Sequence, residues 1–265
     1  MRPAKTSRAE AVVLKGFDYG ETDKILTLYT PDEGKVRAIA KGVRRVTSRL
    51  GGHVDLFAHA SVLLVHGRNM EIVTQGQARH TFPRLRDSLD ALTKACYVAE
   101  LVDRFTEDGQ ANPALFRALV RALERIDAAV AGVGAVAVAG VRSNAALRLF
   151  ELQLLALSGY RPQLHSCLSC DTPIEPGANA FDPALGGVLC PACAPAHASA
   201  HPISTDALKL LRNLQGRGEA FLSVAVPEAA LAEAEDALGL YIQYLLERRP
   251  NAATFLDMLR RVESA

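Results

Sequence analysis

Four cysteines stand in two Cys-x2-Cys pairs whose spacing is typical of a metal site. The pairs are Cys167/Cys170 and Cys190/Cys193, with residues 171–189 between them. Each pair turns two sulfur atoms toward one point, and two facing pairs make a tetrahedral cage for Zn²⁺. Because four thiolates leave no open coordination position, the sequence predicts one structural zinc per chain and no metal chemistry.

Two other interpretations of the cysteines stay open. The pairs could form disulfides, or they could be a clamp that has lost its metal. Disulfides require an oxidising compartment, and nothing in the sequence indicates one. The fifth cysteine, Cys96, falls on the apolar stripe of a predicted helix, so we expect it to be a packing residue and not a nucleophile.

The composition is that of an ordinary globular protein. The chain has 265 residues, of which 49% are hydrophobic and 22% charged, and its net charge is +1. This length favours two or three small domains. No apolar run approaches the roughly 20 residues of a membrane helix, and residues 1–8 lack the apolar core of a signal peptide. We expect a cytoplasmic protein with reduced thiols.

The first third of the chain predicts a small β-barrel. Five short strands are indicated at residues 11–14, 24–29, 35–40, 61–65 and 70–74. A turn at residues 31–34 joins the second and third strands, and a long connection follows the third. This pattern predicts an OB-like barrel over residues 1–82, although an SH3-like barrel would leave a similar pattern.

Positive charge is concentrated in one part of this predicted barrel. Between Glu33 and Asp55 there are cations and no acidic residue: Lys35, Arg37, Lys41, Arg44, Arg45 and Arg49. The first three share one face of the third strand, and the arginines follow in the loop. This arrangement predicts a groove for a phosphate backbone, with a solvated face that blocks edge pairing as the alternative. Tyr19, Tyr29 and Phe57 are nearby aromatics that could stack on bases or fill the barrel core.

Two stretches of the chain resemble one known family. The opening of the chain resembles that of the bacterial RecO family of DNA repair and recombination mediators. The resemblance is carried by Tyr19-Gly-Glu-Thr-Asp-Lys-Ile-Leu-Thr-Leu-Tyr-Thr30 and by the later Ala40-Lys-Gly-Val-Arg-Arg45. The later segments Phe150-Glu-Leu-Gln-Leu-Leu155 and Gly159-Tyr-Arg-Pro162, with the two cysteine pairs, are similar to that family's central helix and zinc finger. The resemblance runs in order over most of the chain.

This resemblance implies a fold and a function. It implies an N-terminal OB fold, a helical domain and a zinc finger, together with binding of single- and double-stranded DNA and annealing of complementary strands. It also implies partnership with RecR and single-stranded-DNA-binding protein while the RecA recombinase is loaded, and a location at the nucleoid. On this basis the six cations become candidate DNA-binding residues.

From residue 84 the apolar pattern changes to a helical period. Helices are predicted at residues 85–102, from Asn112-Pro113 onward, and at 145–158, 204–214, 227–248 and 252–262. We therefore expect an α+β multidomain protein. The barrel at residues 1–82 would precede a helical domain at 83–160, into which a four-cysteine finger at 161–200 is inserted, and residues 201–265 would complete that helical domain.

No motif of the sequence predicts an enzyme. There is no phosphate-binding glycine loop and no metalloprotease or hydrolase motif. The acidic residues Glu21, Asp23, Asp32 and Glu33 lie on turns beside cations, which favours a structural role over a two-metal nuclease centre. Two alternatives to a DNA mediator stay open: a protein adaptor with incidental nucleic-acid binding, and an RNA-associated zinc protein.

Overall fold

A computed structural model describes residues 6–130 and 136–263 of the chain. Within the helices, side chains are described for residues 141–157 of the third helix and 251–259 of the last. The chain divides into two compact units, Met1–Asp127 and Ala128–Ala265, and each is described by itself.

The first unit is built on a closed five-stranded barrel. Its strands are β1 (Thr6–Tyr19), β2 (Asp23–Thr30), β3 (Gly34–Ala40), β4 (His59–His66) and β5 (Glu71–His80). The strand order is β1-β2-β3-β5-β4, and β4 pairs back to β1. Neighbouring strands are antiparallel except β3 and β5, which are parallel. This closure is the OB arrangement and not the SH3-like one, so the predicted OB-like barrel is confirmed.

The barrel forms because its strands alternate apolar inward positions with outward ones. Leu26 and Leu28 of β2 are fully buried in the interior, together with Ala38 and Ala40 of the neighbouring β3. The outward positions of β3 carry Lys35, Arg37 and Ile39. A register shift between Val13 and Lys15 bends β1, which allows one strand to pair with both β2 and β4.

Two helices pack against the outside of the barrel within the same unit. A short 3-10 helix (Pro83–Asp87) leads to α1 (Leu89–Phe105) and then to α2 (Pro113–Val130). The Asn112 side chain accepts the Leu115 N–H at 3.0 Å, which confirms the helix start predicted at Asn112-Pro113. The Phe116 ring of α2 stacks on Tyr29 of β2, with 6.5 Å between ring centroids.

The described part of the second unit contains four α-helices and a small sheet, and the four cysteines lie in turns next to that sheet. The helices are α3 (Val136–Leu157), α4 (Thr205–Arg217), α5 (Glu228–Leu245) and α6 (Asn251–Glu263). The strands β6 (Asn179–Asp182), β7 (Gly187–Leu189) and β8 (His201–Ile203) form a sheet in the order β7-β6-β8. Helices α3, α4 and α5 pack against one another. Among the described helices, none combines the length and the apolar character that a membrane span requires.

The boundary between the compact units lies elsewhere than the predicted domain division. It falls at residue 127, inside the segment 83–160 that the sequence assigns to one helical domain. Helices α1 and α2 group with the barrel because Phe116 and other residues of these helices contact its outer surface. The predicted division into four domains, at residues 1–82, 83–160, 161–200 and 201–265, stays a prediction.

Candidate metal centre and nucleic-acid interface

The four predicted metal ligands come together in the second unit. The Sγ atoms of Cys167, Cys170, Cys190 and Cys193 all lie within 4.8 Å of one another. A tetrahedral zinc site with Zn–S bonds of about 2.3 Å has sulfur–sulfur edges of about 3.8 Å. The Sγ atoms of Cys170 and Cys190 are 3.8 Å apart. The donor set therefore fits a closed four-sulfur metal site, which could hold one metal ion.

Two tight turns place the sulfur atoms. In the first, the Asp171 N–H donates to the Cys167 carbonyl at 2.9 Å, and Asp171 adopts a φ of 58° that leads the chain away. In the second, the N–H groups of Cys193 and Ala194 both donate to the Cys190 carbonyl. The sequence thus folds each Cys-x2-Cys pair into a turn that brings its two sulfur atoms to one side.

Hydrogen bonds shift the pKa values of the Cys167 and Cys193 thiols in different directions. Burial opposes the thiolate of Cys167, but N–H groups of Cys190 and of residues 169–170 point at its sulfur and lower its pKa to about 6. By contrast, hydrogen bonding to Cys190 raises the pKa of Cys193 to about 12. All four thiols would be deprotonated if these residues held a divalent metal ion, because a coordinated thiol loses its proton.

Two consecutive glycines allow the chain before the second Cys-x2-Cys turn to approach the chain before the first. Gly186 has a φ of 78°, which only glycine adopts at little cost. A Cβ on Gly187 would lie 2.4 Å from the Gln163 carbonyl oxygen, and that oxygen accepts the Val188 N–H at 3.0 Å. The close approach of these two backbones therefore requires glycine at position 187.

Helix α4 supports the first Cys-x2-Cys turn through Arg212, a residue that is not among the predicted site residues. The Arg212 guanidinium donates to the carbonyl of Leu164 at 2.8 Å and to that of Ile174 at 3.2 Å. These two carbonyls lie on either side of the first cysteine pair in the sequence. Partial burial lowers the pKa of Arg212, which fits its use as a structural donor. A lone arginine on a helix gave no sequence signal for this role.

In the first unit, a cationic loop (residues 41–50) follows β3 and is fastened to the turn between β1 and β2. The Asp23 carboxylate accepts the Gly42 N–H at 2.7 Å, and the Arg44 N–H donates to the Thr22 carbonyl at 2.9 Å. The Gly42 hydrogen bond lowers the pKa of Asp23. The structural role predicted for Asp23 is therefore confirmed, since its carboxylate holds the loop.

The six predicted DNA-binding residues lie in three different settings. Lys41, Arg45 and Arg49 are exposed on the cationic loop, and none forms an ion pair with any other residue in the described part of the chain. Arg44 is 38% exposed and pairs with Asp18 at 3.2 Å. Arg37 on β3 is 68% exposed and lies 3.7 Å from an Asp108 oxygen.

Lys35 represents the third setting, because it is largely buried and its ammonium group is already bonded within the protein. Its side chain is only 13% exposed, and its ammonium group donates to the backbone carbonyls of Asp103 and Thr106 at 2.8 Å each. It also lies 3.6 Å from the Asp103 carboxylate, which pairs with Lys15 as well. Lys35 thus joins β3 to the end of α1. Strand alternation placed it on the face of Arg37, but the sequence could not show that a helix covers that end of the face.

The aromatic residues near the loop also differ in exposure. Tyr29 and Phe57 are 0% and 2% exposed, so the suggestion that they stack on bases is wrong, and both are core residues. Tyr19 is 55% exposed and stays a candidate. Phe17, whose exposure has no signal in the sequence, is 58% exposed on the same strand.

Comparison with known proteins places the whole chain in one family. Residues 1–82 match the family model described as "Recombination protein O N terminal", and residues 86–253 match "Recombination protein O C terminal". The chain belongs to the RecO family. This confirms the resemblance seen in the sequence, and RecO membership gives the chain a role in DNA repair and recombination.

Full-length relatives agree with the RecO assignment. The chain is 39% identical over 256 residues to DNA repair protein RecO of Roseiflexus sp. (strain RS-1), covering 96% of this chain and 86% of the relative. It is 36% identical over 252 residues to DNA repair protein RecO of Geobacter sulfurreducens, covering 95% and 98%. The protein of that name from Dehalococcoides mccartyi (strain ATCC BAA-2100) is 34% identical over 254 residues, covering 96% of each chain.

Proposed function

We propose that this protein is a recombination mediator that binds single- and double-stranded DNA through the cationic loop. The observation that carries the proposal is the exposure of Lys41, Arg45 and Arg49, none of which makes a close ion pair within the described chain, although Lys41 and Arg45 are near enough to Asp23 to lower its pKa. Each such charge that meets a phosphate releases a condensed counterion, which favours binding without regard to sequence. The tether at Asp23 keeps these charges at one end of the barrel.

The other three predicted DNA-binding residues differ in whether they can reach a phosphate. Arg37 and Arg44 keep exposed guanidinium groups, and their ion pairs with Asp108 and Asp18 are surface pairs that a phosphate can replace. We propose that Lys35 is not among the DNA-binding residues, because moving it to a phosphate would leave the backbone carbonyls of Asp103 and Thr106 without their donor and would remove one of the two cations beside the Asp103 carboxylate.

Annealing follows from the same charges. Two complementary strands repel each other through their phosphates, and a protein surface that neutralises both backbones allows them to meet and pair. This needs no bond cleavage and no nucleotide, so we propose that the protein is not an enzyme. The carboxylate that holds the loop, Asp23, is engaged by the Gly42 N–H, which supports this view.

We further propose that the protein acts with RecR and single-stranded-DNA-binding protein to load RecA, in the cytoplasm at the nucleoid. Family membership supports this part of the proposal. The metal of the four-cysteine site is proposed to be one structural Zn²⁺ per chain, because a closed set of four sulfur ligands suits zinc and leaves no position for a substrate.

The test is annealing of complementary oligonucleotides coated with single-stranded-DNA-binding protein, with and without this protein. We expect faster pairing with the wild-type chain, and a loss of that acceleration when Lys41, Arg45 and Arg49 are all changed to glutamine. Binding of protein partners without DNA binding at physiological salt would favour the adaptor alternative. Preference for RNA in a competition with single-stranded DNA would favour the RNA-associated alternative.

A further inference from the structure

A row of apolar side chains crosses the outer surface of the barrel beside the cationic loop. In the strand register, Phe17 of β1 pairs with Ile25 of β2, Ile25 pairs with Ile39 of β3, and Ile39 pairs with Ile72 of β5. These four residues, here called the apolar strip, are neighbours on four adjacent strands. Directly opposed residues have Cβ atoms about 5 Å apart, so the strip is continuous.

The strip faces outward and is not part of the barrel core. The residues next to it in each strand, such as Leu26, Ala38 and Val73, are buried inside the barrel. Successive strand residues point to opposite sides, so the strip must point out. Phe17 is 58% exposed, and Ile25, Ile39 and Ile72 are each partly exposed.

Helices α1 and α2 cover a neighbouring part of the outer surface but stop short of the strip. The row at Tyr29 and Lys35 is covered by the Phe116 ring and by the end of α1. Four residues beyond Lys35, Ile39 is partly exposed, and Lys41 just after β3 is exposed. Apolar side chains are thus left at the surface on the side of the barrel that carries the cationic loop.

Where the strip crosses β3, a cation stands on either side of it along the chain. Arg37 lies two positions before Ile39 on the same outward face of the strand, and the exposed Lys41 follows just after the strand ends. The cationic loop then continues from Lys41. An apolar surface with cations at its edge is complementary to a polymer with flat apolar bases and a negatively charged backbone.

We propose that the apolar strip binds the unpaired bases of a single DNA strand, with the Phe17 ring as the stacking residue. The inference rests on the proposed DNA-binding function and adds the basis on which this surface distinguishes single strands from duplexes. The strip spans three strand spacings of about 4.8 Å, which suits about two or three bases. A duplex keeps its base faces stacked inside, so it meets the cations but not the strip.

Replacing the exposed phenylalanine with tryptophan tests the inference directly. The chain contains no tryptophan, so Phe17→Trp introduces a single indole whose emission falls when a base stacks on it. We expect an oligothymidylate of about 20 nucleotides to quench this emission, while a duplex of equal length binds without quenching. Leu89→Trp is the matched control because Leu89 is 55% exposed in the same unit at the start of α1. Its emission should not change.

Affinities give a second measurement. Phe17→Ala should bind the single strand about 5- to 150-fold more weakly than wild type, and bind the duplex equally well. Phe17→Leu keeps an apolar side chain but lacks the ring and should also lose affinity for the single strand. Because the side chain is largely exposed, these variants are expected to fold, and circular dichroism checks this.

The outcomes separate the inference from the proposed function. If wild type binds neither labelled single strand nor duplex in low salt, the proposed function fails and the inference fails with it. If wild type binds both, but the single strand does not quench the indole emission of the Phe17→Trp variant, only the inference is overturned. Quenching by a protein partner in the absence of quenching by DNA would also overturn it, and would assign the strip to that partner.

Discussion

Replacing Arg45 and Arg49 together with alanine removes two exposed positive charges from the cationic loop. Neither side chain forms an ion pair within the described chain, so the folded structure should tolerate the change. Each phosphate contact with duplex DNA contributes about 0.9 to the slope of log affinity against log salt. Two lost contacts should therefore reduce the slope by about 1.8, and weaken binding at 0.1 M salt by about 60-fold.

The assay is fluorescence anisotropy of a labelled duplex over a series of salt concentrations. With a single strand the change should be smaller, about 1.4 in slope, because the charge density is lower. Lys35→Met is the matched control, since it removes a positive charge from the same basic segment. The Lys35 side chain is 13% exposed and its ammonium group is bound to Asp103 and Thr106, so the slope should not change.

Two results would refute this reasoning. An unchanged slope in the Arg45→Ala, Arg49→Ala variant would show that the loop does not meet phosphates. A reduced slope in Lys35→Met, in a variant that is fully folded, would show that burial and pairing do not remove Lys35 from the interface. Measuring duplexes of two unrelated sequences adds a check, because contacts to phosphates should weaken both equally.

Four other predictions concern the metal, the fold and pH. Cys190→Ser should reduce zinc from one per chain to well below one and make the second unit sensitive to protease, as measured by metal analysis and limited proteolysis. Arg212→Met should lower the free energy of unfolding by about 1–3 kcal/mol in denaturant titration, because two carbonyls lose a charged donor. An unchanged free energy of unfolding would contradict the role of Arg212 in supporting the first Cys-x2-Cys turn. Asp103→Ala should cost about 3 kcal/mol in the same titration, whereas Asp108→Ala, at a 57% exposed side chain, should cost less than about 1 kcal/mol. The Gly42 hydrogen bond lowers the pKa of Asp23 from 3.8. The Asp23 carboxylate should therefore stabilise the cationic loop fully above pH 3.8 and lose this effect as the pH falls below that value. Hydrogen exchange of the loop amides should become faster at low pH in wild type, and should not show this pH dependence in Asp23→Asn.

Much of the barrel and the metal centre was predictable because the signals are local. Strand alternation in residues 24–40 fixes which side chains enter the barrel, and the structure has Leu26, Leu28 and Ala38 buried as that pattern requires. A Cys-x2-Cys turn is short enough to set its own geometry, and the four sulfur atoms converge as predicted. Neither inference needed knowledge of distant contacts.

Other features depend on partners that are far away in the sequence. The sequence treats Lys35 and Arg45 as equal cations, but Lys35 lies against Asp103, which is 68 residues further along the chain. Tyr29 and Phe57 have the same kind of ring as the exposed aromatic residues, yet both are buried, and the Phe116 ring covers Tyr29. Exposure is decided by which elements cover a surface, and alternation alone does not show this.

By itself, the sequence determined the residue types: a segment rich in cations and free of acids, four thiols at metal-binding spacing, and the alternation that closes a small barrel. Only the tertiary structure decided which of those residues remain available to a ligand. The parallel pairing of β3 with β5 aligns Ile39 with Ile72, and the end of α1 takes up the charge of Lys35. The physical reason is that charge and shape become a binding surface only after distant segments have covered, paired or exposed each side chain.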